Sequence, residues 1–138
     1  MNWMLLPYRR YAEFSGRSRR REYWMFALFY LLVYVVLNAA FGTNEWTRTP
    51  TGFGYGSQLV GGGGLIGGLF ALASFVPALA VSVRRLHDQN RSGWLLLLGL
   101  IPLFGGFALL VLMCLEGTRG PNQYGPDPKD PGSADVFR

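Results

Sequence analysis

Three stretches without a single charged side chain constrain this chain of 138 residues more than anything else in it: Tyr23 to Phe41, Leu59 to Val83 and Trp94 to Leu115. They run about 19, 25 and 22 residues, against roughly 20 needed for a helix to cross the hydrocarbon core of a bilayer. A soluble helical domain of this length would show polar residues returning every three or four positions along each helix, and these blocks do not. The expected fold is therefore an all-α integral membrane protein. It has three transmembrane helices at about 23–41, 59–83 and 94–115 in a single membrane domain over residues 1–128. A Gly/Pro-rich C-terminal tail follows, disordered over 129–138.

Charge sets the expected orientation. The formal net charge is +5. In a soluble protein that would suggest nucleic acid, but the placement of the charge argues against it. Arg9, Arg10, Arg17, Arg19, Arg20 and Arg21 precede the first block, Arg84, Arg85 and Arg91 separate the second from the third, and only Arg48 lies in the remaining loop. Three spans place the N-terminus and the island Arg84 to Gly93 on one side, which the positive-inside rule makes cytoplasmic. The tail then faces outward. Pro102, Gly105 and Gly106 interrupt the third block and leave a re-entrant hairpin as the alternative, with the tail returned to the cytoplasm. The first block begins too far into the chain, and is too long, for a cleavable signal.

Along the chain, Tyr8, Tyr11 and Phe14 recur every third residue, which predicts a short interfacial N-terminal segment after Pro7. Ser18 is a candidate helix cap, and Glu22 falls in the first turn of the first span, where the helix dipole favours a carboxylate. Tyr30, Tyr34 and Asn38 form a stripe expected to face protein, with Asn38 paired by a neighbouring helix. Gly42 to Gln58 reads as a polar loop. Gly63 with Gly67 and Gly64 with Gly68 are overlapping G-x-x-x-G pairs, which predict close helix packing, self-association or a membrane partner. They lack the Lys-Ser/Thr ending and preceding strand of a phosphate-binding loop. Pro77 predicts a kink, and Asn90 with Gly93 a helix stop.

No Asp, Glu, Lys, Arg or His lies inside a block, so a proton relay, a charge-coupled transporter and a voltage sensor are disfavoured. His87 has no company for a metal site, and Ser74 and Ser82 are badly spaced to pair with it. No cofactor and no catalytic group is expected. The single cysteine, Cys114, has no intramolecular disulfide partner. One chemically specific reading remains. Arg17, Arg20, Arg84, Arg85 and Arg91, with His87 and Asp88, should meet on the cytoplasmic surface, where guanidinium groups bind anionic headgroups or a partner's acids.

Four ordered blocks also carry a resemblance. They are Phe14-Ser-Gly-Arg17 with Arg20, Tyr23 and Trp24; Arg84-Arg-Leu-His-Asp88 with Ser92-Gly-Trp94; Ile101-Pro102 with Gly105; and Gly117-Thr118 with Gly120, Asn122, Tyr124-Gly125 and Asp127-Pro128. Together, over about residues 10 to 128, they resemble the small bacterial inner-membrane proteins grouped as domain of unknown function 805. The resemblance implies a multi-pass inner-membrane protein and brings no activity, substrate or cofactor. The reading that follows is a non-enzymatic membrane scaffold or accessory subunit. A small oligomeric channel or transporter component, lined by the Tyr30, Tyr34 and Asn38 stripe, is the alternative.

Overall fold

The structure is a computed structural model that describes residues 3–50, 52–102 and 104–129. The tail expected to be disordered lies outside the described residues, apart from Lys129. Two helices dominate, α2 (Arg20–Phe41) and α3 (Gly62–Asp88), and at 22 and 27 residues they extend about 33 and 40 Å. Both are long and apolar enough to cross a membrane. Their surfaces carry exposed Leu31, Val36, Leu65, Leu69 and Leu72, which only lipid or another helix would solvate at low cost.

The chain divides into two compact units. One holds residues 28–75, where α2 and α3 run antiparallel. Phe29 and Tyr30 meet Phe70 at ring separations of 6.3 and 5.3 Å. Further on, a Cβ at Gly67 would touch Leu59 and Leu37, and one at Gly63 would fall on the Phe41 side chain. Between the helices the expected loop is instead an antiparallel hairpin of β1 (Gly42–Thr49) and β2 (Gly52–Leu59). Its register pairs Gly42 with Leu59, Trp46 with Tyr55 and Thr49 with Gly52. Thr, Trp, Phe and Tyr favour strands, and Pro50 followed by Gly52 suits a tight turn; these signals outweigh the polarity that suggested a loop.

The other unit holds residues 1–27 and 76–138. Its N-terminal helix, α1 (Leu6–Arg9), takes Pro7 into its first turn, where the missing N–H costs nothing. The expected helix through Tyr8, Tyr11 and Phe14 does not form. Instead α1 ends at Arg9, Arg10 clamps Glu13, and Gly16 at φ 81° turns the chain toward α2.

The third block departs most from expectation. Residues 94–115 are not one continuous crossing helix. Gly93–Leu100 form a 3-10 helix, α4 (Phe104–Cys114) follows, and Pro102 lies in the break. Each piece is about 16 Å long, half the thickness of the hydrocarbon. They pack on each other: a Cβ at Gly99 would lie 3.0 Å from Leu109, and one at Gly105 would overlap the Leu98 carbonyl, so only glycine permits that approach. Both ends are tied to the foot of α3. At the start, Gly93 abuts Val83. At the finish, Gln89 donates to the Leu112 carbonyl at 2.6 Å, and Arg85 donates to the Leu115 carbonyl. The segment is thus a helical hairpin, and the described tail lies at the end of the unit from which the hairpin departs.

A charged knot at the candidate functional site

Helix α3 continues beyond the apolar stretch because Arg84 to Asp88 keep helical geometry, and it closes with a left-handed Asn90 at φ 57°. The N–H of Arg91 reaches the Leu86 carbonyl and that of Asn90 the His87 carbonyl, the double bond pattern of a Schellman cap. This last turn presents charge on several sides at once, and each side finds a partner from a different part of the chain.

Asp88 is the centre. Its carboxylate accepts from Arg17 Nε at 3.0 Å and from Arg85 Nη1 at 2.6 Å, while its side chain stays only 4% exposed. Arg17 then reaches into the C-terminal segment and donates to the Gly120 carbonyl at 2.6 Å and the Thr118 carbonyl at 2.5 Å. Thr118 returns to α3, its N–H and its hydroxyl both donating to the Asp88 carbonyl, at 2.8 and 3.1 Å. Two guanidiniums on one carboxylate, closed by backbone carbonyls, satisfy charges that would otherwise be very costly to bury.

A second pair lies beside it. Arg84, fully buried, stands 3.2 Å from Glu22 in the first turn of α2. Ser18 is buried too, its N–H donating to the Arg84 carbonyl rather than serving the hydroxyl cap expected of it. The two pairs are distinct: Arg84 turns to Glu22, and Asp88 is held by Arg85 and Arg17.

His87 stacks flat on Tyr124, with centroids 3.8 Å apart and planes 3° from parallel. Its Nδ1 lies 3.3 Å from the Gly16 carbonyl, so the proton sits on Nδ1, since a carbonyl can only accept. Asn122 donates to the His87 carbonyl and to Thr118 Oγ1, each at 2.9 Å. Asp127 caps the segment, accepting from the N–H groups of Gly120 and Lys129 at 2.9 Å each. Burial opposes its ionisation, but those two donors and Arg17 outweigh that effect and hold its carboxyl below the usual aspartate range. Gly117 lies so close to Asp88 that a Cβ there would overlap the carboxylate.

The structure thus gathers Arg17, Arg84, Arg85, His87 and Asp88 into one knot. Arg17, Arg84 and Arg85 are buried and paired. Arg20 sits at the edge, half exposed, bonded to the Cys114 carbonyl and Glu116, and Arg91 is exposed outside the knot. Among the sites expected for helix packing, Gly63 and Gly67 receive side chains of this same chain, a Cβ added at Gly64 would lie 3.1 Å from the Leu59 carbonyl oxygen, and Gly68 has no such neighbour among the described residues. Asn38 is half-buried, with its amide oxygen over Gly42.

Reasoning from residue type and spacing did not single out Thr118, Asn122, Tyr124 and Asp127 as partners of the island. The only signal for them was the ordered block in which they stand. It also missed a cavity of about 460 Å³ lined by Arg19, Arg20, Arg21, Trp24 and Lys129. Beside it, Arg19 and Arg21 flank the Trp3 ring at 6.0 and 5.9 Å, within cation-π range. Among the described residues no group of three or more His, Cys, Asp or Glu side chains could hold a metal ion.

Comparison with known proteins agrees with the family resemblance. The family described as "Protein of unknown function (DUF805)" matches residues 11–126. Inner membrane protein YhaI of Escherichia coli K12 is 42% identical over 131 residues, covering 94% of this chain and 97% of that protein. Inner membrane protein YhaH of the same organism is 40% identical over 129 residues, covering 94% and 98%. The uncharacterized protein YiiR is 28% identical over 143 residues, covering 86% and 87%. No solved structure matches. With both the family model and two relatives spanning nearly the whole chain, this protein belongs to the DUF805 family.

Proposed function

We propose that the protein is a non-enzymatic scaffold or accessory subunit of the bacterial inner membrane. In this reading α2 and α3 cross the bilayer, residues 94–115 re-enter it, and the N-terminus, the island and the described tail all face the cytoplasm. The relatives named as inner membrane proteins support the location, and the concentration of arginine at one end supports the orientation. A partner helix would approach α3 at Gly68, where no described side chain intervenes.

One observation carries the functional part: the cavity at the foot of α2 is lined by four cations and a tryptophan. The buried arginines of the knot are occupied by Glu22, Asp88 and carbonyl groups, so anionic headgroups or a partner's acids meet Arg19, Arg20, Arg21 and Lys129 instead. Guanidinium forks suit phosphate, and Trp24 suits the headgroup layer. The test is the full chain in nanodiscs, with retained phosphatidylglycerol and cardiolipin measured by native mass spectrometry. Replacing Arg19 and Arg21 together by Gln should lower the retained anionic lipid about tenfold or more. Unchanged retention by a folded variant would overturn the reading.

A further inference from the structure

A second cavity, of about 470 Å³, is of the opposite character. It runs beside the last turns of α3 and the 3-10 helix, with Leu79, Val83, Leu96 and Leu97 along its apolar length. His87, Ser92 and Tyr124 line it too, together with Phe14 and Trp94, and Trp94 is 78% exposed. Among the described residues no Arg, Lys, Asp or Glu lines it. The cavity is large enough for the head and upper chain of an amphiphile. Its apolar walls begin at Leu79, within the apolar run of α3, and its polar residues lie where α3 enters the charged knot.

From this we infer that the groove binds a neutral lipid with a hydroxyl headgroup, of the diacylglycerol class. The lack of cations in the lining removes any partner for a phosphate, and the lack of carboxylates removes any partner for an amine. The polar end offers one group of each kind. Because His87 Nδ1 donates to the Gly16 carbonyl, Nε2 of the neutral ring is an acceptor. The Ser92 oxygen accepts from the Trp94 N–H at 3.4 Å, which leaves its own hydrogen to donate. An acceptor and a donor lining one cavity are what a single hydroxyl, itself both, can satisfy. The stacked Tyr124 ring and the Asn122 bond to the His87 carbonyl hold the imidazole in place, so the acceptor is pre-positioned. The site is separate from the cationic cavity and does not depend on it.

The test uses the full chain in nanodiscs with a diacylglycerol carrying a diazirine in one acyl chain, and a phosphatidylglycerol carrying the same diazirine as the second arm. The expected result is light-dependent labelling of peptides spanning residues 79–97 by the first probe, competed by unlabelled dioleoylglycerol and not by equal phosphatidylglycerol. Leu97→Trp, which fills the groove from an exposed position, should abolish the labelling. His87→Phe, which keeps a ring against Tyr124 but removes the acceptor, should weaken it about three- to tenfold. Thermal unfolding checks that each variant is folded; if Leu97→Trp is not, the His87 variant decides. Equal labelling by the two probes, or labelling unchanged in the folded variants, overturns the inference.

Discussion

Arg17 and Asp88, 71 positions apart in the chain, meet at 3.0 Å with side chains 1% and 4% exposed. That contact ties the segment before α2 to the end of α3. Through the Gly120 and Thr118 carbonyls it also secures the C-terminal segment. Arg85, on the other carboxylate oxygen, ties in the end of the helical hairpin through the Met113 and Leu115 carbonyls. One carboxylate thereby organises four separate lengths of chain.

Replacing that carboxylate should be among the most damaging single changes available. Asp88→Asn keeps the shape and leaves two buried guanidiniums without a counter-charge, a loss of about 3–5 kcal/mol by analogy with other broken buried pairs. Glu116→Gln, which removes a half-exposed partner of Arg20, should cost about 0–1 kcal/mol. Denaturant unfolding of both variants in the same detergent checks the contrast.

Gly117 and Gly120 should fail for different reasons when changed to Ala. At Gly117 the added methyl meets the Asp88 carboxylate, so the knot must shift, at about 1–3 kcal/mol. At Gly120, where φ is 75° and nothing lies near the added atom, the cost is backbone strain alone, about 1 kcal/mol. Asp88→Ser, which shortens the obstructing side chain, should reduce the additional cost of Gly117→Ala and not that of Gly120→Ala. A double-mutant cycle measures this.

Acid should loosen the C-terminal segment. Asp127 is held below its ordinary pKa in the folded protein, so its ionised form favours the fold. That contribution is complete above the unfolded value, about 4, and is lost as pH falls through the lower folded value. Glu13, lowered first of all by its hydrogen bond from Arg10, adds a smaller effect of the same sign at an exposed position. Intrinsic-rate-corrected hydrogen exchange at the Gly120 and Lys129 amides should show little change from pH 7 to 5 and a loss of protection below about 4. In Asp127→Asn the protection should already be reduced at neutral pH and no longer show that step.

The proposed re-entrance of residues 94–115 has a direct topological consequence. In a Cys114→Ser background, Lys129→Cys and Arg9→Cys should be labelled by a membrane-impermeant maleimide from the same side, and Arg48→Cys from the other. Labelling of Lys129→Cys together with Arg48→Cys would restore a third full crossing.

Hydropathy and charge are read residue by residue along the chain, and whatever depends only on them was legible in the sequence. The uncharged runs that became α2 and α3 are local properties of length and composition, and the stop at Asn90 is a property of one residue's tolerance for positive φ. The gathering of the basic island and the first-span arginines followed from their both lying at one end of the apolar runs. The third run has the same local signature as the others, and nothing in its hydropathy distinguishes a crossing from a return. Its fold into two packed short helices was decided by Gly105 admitting Leu98, by Pro102 in the break, and by Arg85 and Gln89 capturing carbonyls at the far end. The fate of each arginine was decided in the same way. Arg17, Arg84 and Arg85 are chemically the same as Arg19 and Arg21, and only the positions of Asp88 and Glu22 in the folded chain determine which of them are buried and paired.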